Sequence, residues 1–269
     1  MEYKSILLTA AILMAGCRQQ TAPETTTIPS PESTNIVKET APDAENTSRQ
    51  GYVLPGLEHG LSQSPVNISS QMAEGGDSHE IVMHFKDEIN KVDNLGHTVQ
   101  LDFKEGSSII ADNETFDFIQ CHFHTPSEHL IDGVTFPMEM HIVNTMADQA
   151  EGAATEYLVI SALFKEGKEN KFIAEFLNSI PKEEKTSTEL TTGAVRLSDL
   201  FDKADRELLG HYYFYKGSLT TPPYTESVRW YVSKHIFEAS AAQIEAINKI
   251  EGNNARHVQA LYGRVVSND

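Results

Sequence analysis

Three histidines in this chain stand at spacings a metal ion can use: His122 and His124, and then His141, seventeen residues further on. An extended strand turns alternate side chains to opposite faces. In Gln120-Cys121-His122-Phe123-His124 the two imidazoles therefore share one face, while Cys121 and Phe123 take the other. Pro126, Asp132-Gly133 and Pro137 read as a loop returning the chain into a second strand over 138–145, on which Glu139 and His141 again share a face. Three imidazoles on two neighbouring strands leave one tetrahedral position open, as in a catalytic zinc site rather than a closed structural one. A lone His-x-His on a half-buried strand is usually only hydrogen-bonded, so the third histidine carries the metal reading. Cobalt and iron also suit three imidazoles, and availability often decides among them.

The elements that must position these residues are mostly short strands, expected over 80–85, 98–103, 116–124, 138–145, 157–164, 211–215 and 227–232. The run Leu158-Val159-Ile160-Ser161-Ala162-Leu163-Phe164 has little polar alternation and reads as a central strand covered on both faces. Helices are fewer. Residues 170–180 place Phe172, Ile173, Phe176, Leu177 and Ile180 on one stripe that Pro181 stops. Ser198 is expected to cap a short helix through Leu209, with Gly210 after its end. Ser240 and Gln243 form a capping box opening a helix whose Ile244, Ile247 and Ile250 face inward. The fold class is mainly β (α+β): a large central twisted sheet, mostly antiparallel, with short helices at its periphery.

A formal net charge of −18 and the absence of any basic cluster exclude nucleic acid as a partner. Residues 1–17 carry Lys4 and then an apolar run, an export signal too short to span a bilayer. Its ending, Leu13-Met14-Ala15-Gly16-Cys17, resembles a bacterial lipobox, with Met14 where Leu is usual. That resemblance implies a lipoprotein acylated on Cys17, exported to the periplasm or cell surface and anchored to a bacterial membrane. Residues 18–48 are rich in Thr, Pro, Glu and Ser and lack aromatics, so they read as a flexible tether. Residues 49–269 are expected to form one catalytic domain.

Further motifs run along that domain: Gln63-Ser64-Pro65-Val66-Asn67-Ile68, Gly96-His97, Ser127-Glu128-His129, Ser218 to Pro223, Asn253-Asn254-x-Arg256-x-x-Gln259 and Gly263-Arg264-Val265. Together with the histidine segments, in this order, they resemble the α-class carbonic anhydrases. The resemblance implies that family's fold and Zn²⁺ held by His122, His124 and His141. It implies reversible hydration of carbon dioxide to bicarbonate and a proton through a zinc-activated hydroxide. Thr220 would orient that nucleophile, with Glu128 accepting the Thr220 proton. Gln120 would support His122, and Glu139 would support His141. His97 would shuttle protons to solvent. Val143, Val159, Leu219, Thr221 and Trp230 would wall the CO₂ pocket. His129 matches a buried structural histidine, expected to support Glu128 and Tyr215.

Three departures from the family stand out. Leu95 replaces an asparagine that commonly orders the water chain, and the aromatic N-terminal segment has no clear counterpart beyond Tyr52. Tyr224 stands where many exported relatives have a cysteine, so the usual disulfide is absent, and Cys121 reads as a small core residue. Two rival readings are a carbonic-anhydrase-like binding domain without catalysis, which would normally have lost a ligand, and an incidental zinc esterase.

Overall fold

The structure is a computed structural model describing residues 60–75, 79, 81–86, 89–150, 152–201 and 211–268. The expected signal segment, Cys17, the tether and Tyr52 lie outside the described residues. Among the described residues, no helix is long and apolar enough to cross a membrane.

The strands are β1 (Asn67–Ile68), β2 (Glu74–Gly75), β3 (Ile81–His84), β4 (Ile89–Asn94), β5 (Val99–Phe103), β6 (Ser108–Ala111) and β7 (Glu114–His124). They continue with β8 (Leu130–Ile131), β9 (Met138–Met146), β10 (Tyr157–Glu166), β11 (Thr186–Glu189), β12 (Tyr212–Gly217), β13 (Val228–Ala239) and β14 (Ser267–Asn268). Twelve of them form one sheet ordered β11-β4-β5-β7-β9-β10-β13-β12-β14-β2, with β6 paired to β7 and β3 to β6. Most neighbours are antiparallel; β10 runs parallel to β13 and β14 to β2. β10 lies inside the sheet between β9 and β13, and residues 158–164 are all buried, as their unbroken apolar run implies.

The two faces of the sheet have different tasks. On one, Leu101, Cys121, Phe123, Met140, Ile142, Ile160 and Ala162 join the main core, which Phe172, Ile173, Phe176 and Ile247 cover from the helices. On the other, Val143, Val159, Tyr215 and Trp230 form a smaller cluster. The histidines project from this second face.

Asn170 caps the Lys171–Phe176 helix, which tightens into a 3-10 turn, Leu177–Ser179, before Pro181. Ser240 and Gln243 make the expected reciprocal capping box on Ala241–Glu251, where Ile247 is buried and Ile244 and Ile250 are partly so. The expected helix from Ser198 is not what forms over its described part: Ser198 sits inside a 3-10 turn, Leu197–Asp199, and 202–210 lie outside the described residues. Strands β4, β6 and β11 and the two-residue strands β1, β2, β8 and β14 were not anticipated, and β13 runs well past residue 232. Short or mixed sequences, such as Ile-Asn-Lys-Val-Asp-Asn in β4, carry too little alternation to be read locally, and their partners decide them: β4 pairs with β5, β6 with β7 and β11 with β4.

Candidate metal centre

The pairing of β7 with β9 sets His122 directly opposite His141, His124 opposite Glu139 and Gln120 opposite Val143. His141 in turn lies opposite Ser161 on β10. Cross-strand partners share a face, so this register alone gathers the imidazoles. Ring nitrogens of His122, His124 and His141 lie within 4.8 Å of one another.

Each outer ring is turned by a neighbour on its own strand. The Nδ1–H of His122 donates to Gln120 Oε1 at 2.9 Å, and the Nε2–H of His141 donates to Glu139 Oε1 at 2.7 Å. This leaves His122 Nε2 and His141 Nδ1 with their lone pairs facing the cluster. His122 Nε2 and both nitrogens of His124 are buried with no hydrogen-bond partner. Leaving such atoms unsatisfied costs about 1–3 kcal/mol each, a cost that coordination removes for His122 Nε2 and for one nitrogen of His124. Burial drives the His122 pKa down to about 3 and holds His124 well below and His141 below the ordinary histidine value, with neighbouring imidazoles adding to the effect for His122 and His124. The rings are therefore neutral at physiological pH, the form in which imidazole ligates. These residues fit a zinc ion, which they would hold through one nitrogen each.

Glu139 is the hub beneath the cluster. Its Oε1 accepts from His141 Nε2, His129 Nδ1 and Ser161 Oγ at 2.7 Å each, and its Oε2 accepts from the backbone N–H groups of Glu128 and His129 at 2.8 Å each. Burial opposes its ionisation, but the adjacent His129 and His141 rings, both hydrogen-bonded to it, hold its carboxyl well below the usual range. His129 supports Glu139 rather than Glu128 as expected, because its backbone N–H and Nδ1 both converge on that carboxylate; Nε2 contacts Tyr215 Oη at 2.6 Å as anticipated. The chain of bonds continues from Tyr215 Oη to Ser64 Oγ (2.9 Å), which accepts from the Ser218 N–H (3.1 Å), two residues before Thr220.

The Glu128 carboxylate accepts from the Arg256 N–H at 2.8 Å and from the Thr220 hydroxyl, and its oxygens stand 3.6 Å from His124 Nδ1 and 3.9 Å from His141 Nδ1. Burial, with the nearby Glu139 charge, pushes its pKa up to about 8. A dication held by the imidazoles would draw Glu128 back to its charged form.

A cavity of about 220 Å³ opens over the histidines, walled by Val143, Val159, Leu219, Thr220, Thr221 and Trp230 together with Gln120, His122 and His141. Ile119, Thr145 and Tyr157 also line it and were not anticipated. Ile119 reaches the wall through an irregularity between Phe118 and Gln120 that breaks strand alternation, a feature with no local sequence signature. His97 is exposed on the hairpin between β4 and β5, outside the cavity wall; its Nδ1 lies 3.1 Å from the Leu95 carbonyl, leaving Nε2 free to face solvent. Cys121 is buried in the main core, and burial pushes its thiol pKa up strongly.

A family model of eukaryotic-type carbonic anhydrases matches residues 54–269. The chain belongs to the α-class carbonic anhydrases. It is 38% identical over 214 residues to a carbonic anhydrase of Pectobacterium atrosepticum, covering 78% of this chain and 80% of that protein. A carbonic anhydrase of Neisseria gonorrhoeae is 37% identical over 212 residues, 77% of each chain. Among solved structures, the α-carbonic anhydrase of Thermovibrio ammonificans in complex with the inhibitor sulfanilamide superposes with a TM-score of 0.71 at 33% identity, covering 78% of this chain and 88% of that one. The protein is thus a zinc enzyme that reversibly hydrates CO₂ to bicarbonate and a proton.

Proposed function

We propose that His122, His124 and His141 hold the zinc ion, that Thr220 and Glu128 orient the oxygen nucleophile, and that His97 carries the proton out. The observation that carries this reading is the division of labour between ring nitrogens. Gln120 and Glu139 take one nitrogen of each outer histidine, and the opposite nitrogens face the same point. Bound zinc supplies a Lewis acid that lowers the pKa of coordinated water to about 7, a value established for carbonic anhydrase rather than worked out from this chain.

The Thr220 hydroxyl has one hydrogen and gives it to Glu128, so only its lone pairs face the cavity. Any oxygen nucleophile there must donate its hydrogen to Thr220 and turn a lone pair toward CO₂. Val143, Val159, Leu219 and Trp230 offer CO₂ hydrocarbon and nothing to hydrogen-bond, because the Trp230 indole N–H is spent on the Ser218 carbonyl at 3.0 Å. Each hydration releases one proton, which a group titrating near neutral pH can hand to buffer. His97 is the exposed histidine on the hairpin between β4 and β5.

Residues 49–269 make up the catalytic domain in this reading. Residues 1–17 export the chain, Cys17 carries the lipid, and 18–48 hold the enzyme off a membrane outside the cytoplasm. The composition and the Ala15-Gly16-Cys17 ending support this. Mass spectrometry of the mature N-terminus tests it: an unmodified terminus other than Cys17 sinks the anchor.

Stopped-flow CO₂ hydration tests the site, comparing the native enzyme with His124→Ala and with a zinc-depleted sample, alongside elemental analysis. Both changes should abolish hydration above buffer. A His124→Ala enzyme with native zinc content and native rate would overturn the ligand assignment.

A further inference from the structure

Glu251, the last residue of the Ala241–Glu251 helix, is a carboxyl only 6% exposed, and the reaction as described above makes no use of it. It stands between two segments that matter to turnover. On one side is the hairpin carrying His97: the Val99 N–H points at Glu251 Oε2 from 3.3 Å, and the Thr98 hydroxyl reaches the same carboxyl. On the other is the end of β7, where Thr125, next to His124, places its Oγ1 3.0 Å from Glu251 Oε1. Three residues along, Asn254 clasps the same two segments: its Nδ2 donates to the His97 carbonyl (2.8 Å) and the Phe123 carbonyl (3.1 Å), and its Oδ1 accepts from the Thr125 N–H (3.0 Å).

We propose that Glu251 is a positioning residue of the proton-exit path, pinning the His97 hairpin to the strand end that carries His124. The inference rests on the reading of His97 as the proton carrier.

Donor counting shows how the clasp works. Thr98 Oγ1 has one hydrogen and a carbonyl acceptor, Phe123 O, at 2.8 Å; Thr125 Oγ1 has one hydrogen and a carbonyl acceptor, Gly252 O, at 2.9 Å. If the hydroxyls satisfy those carbonyls, an ionised Glu251 keeps one long N–H bond in a buried site. A neutral acid instead donates its own hydrogen to a threonine oxygen, and Thr125 Oγ1 still has a second lone pair for Asn248 Nδ2 at 3.0 Å. Burial acts in the same direction, raising this carboxyl to about 8. The groups reaching it are hydroxyls and an amide, and among the described residues no charged side chain faces it.

The test separates kcat from kcat/KM. The second ratio covers CO₂ capture through bicarbonate release, whereas kcat also contains proton exit. Glu251→Ala should lower kcat by about tenfold, within the roughly 10²-fold that a positioned proton-transfer group contributes. It should leave kcat/KM unchanged and respond to imidazole buffer. Glu251→Gln, which keeps the shape and a donor, should match the native enzyme in both. In a His97→Ala background, Glu251→Ala should cost nothing further. An infrared carbonyl band of a protonated carboxylic acid should be present in the native enzyme and lost in Glu251→Gln.

Native kcat in Glu251→Ala when His97→Ala is slow overturns the inference and spares the His97 reading. Native kcat in His97→Ala sinks that reading first. A parallel fall of kcat and kcat/KM, or Glu251→Gln as slow as Glu251→Ala, also overturns it. If Glu251→Ala does not fold, Val99 and Thr98 still offer the hairpin side: Thr98→Val, which removes the hydroxyl from both Glu251 and the Phe123 carbonyl, must show the same split.

Discussion

Replacing Glu139 with glutamine tests the idea that this carboxylate selects which nitrogen of His141 faces the metal. Native Oε2 accepts two backbone N–H groups, and Oε1 accepts from His141, His129 and Ser161. An amide has one accepting oxygen. If its NH₂ faces the backbone, two buried N–H groups lose their acceptor, costing about 1–3 kcal/mol each, or about 2–6 kcal/mol together. If its carbonyl faces the backbone, the NH₂ confronts His141 Nε2, which must then accept. The His141 hydrogen moves to Nδ1, the nitrogen turned toward the metal position. Loss of such an orienting partner lowers metal affinity by about 10–100-fold, roughly 1.4–2.7 kcal/mol. His129 and Ser161 must turn their hydrogens away as well, which an imidazole tautomer and a hydroxyl can do and a backbone N–H cannot, so the second orientation should prevail. Glu139→Gln should therefore fold with modestly reduced stability and bind zinc about 10–100-fold more weakly, measured by competition with a chromophoric chelator. Zinc affinity within about twofold of native, with an unchanged unfolding midpoint, would refute the tautomer argument.

Other expectations follow from the same geometry. His97→Ala should lower kcat while sparing kcat/KM, and imidazole buffer should restore it; an unchanged kcat removes His97 from proton exit. Thr220→Val keeps the shape but presents no lone pair, so kcat/KM should fall by about 10²-fold with zinc affinity unchanged, as expected when a reacting group loses its orientation. Glu251→Gln should change stability in a pH-dependent way. The folded pKa of about 8 lies above the ordinary 4.5, so the folded state holds the proton more tightly. The stability that Glu251 contributes is full below about 4.5 and is lost as pH rises to about 8. Over that window the glutamine variant should gain on the native enzyme by up to about 5 kcal/mol in urea unfolding, and no gain would mean that Glu251 is not held neutral.

The histidines, their spacing and their shared strand face were legible in the sequence because strand alternation has a period of two and tolerates no other reading of His-x-His. The family was legible because its motifs recur in order from residue 63 to residue 265. The central strand β10 and the capping box at Ser240 were legible as well, since each is a property of a few adjacent residues.

Only the tertiary structure decided what depends on register and on residues far apart in the chain. The irregularity at Ile119 brings to the cavity wall a residue that strict alternation would put on the face of Cys121 and Phe123. The path from Glu139 through His129 and Tyr215 to Ser64 joins residues up to 151 positions apart. Glu251 reads in sequence as the polar end of an amphipathic helix, and it becomes a buried acid because the helix docks against the His97 hairpin and the end of β7. Local periodicity tells which way a side chain points, and long-range packing alone tells what it meets there.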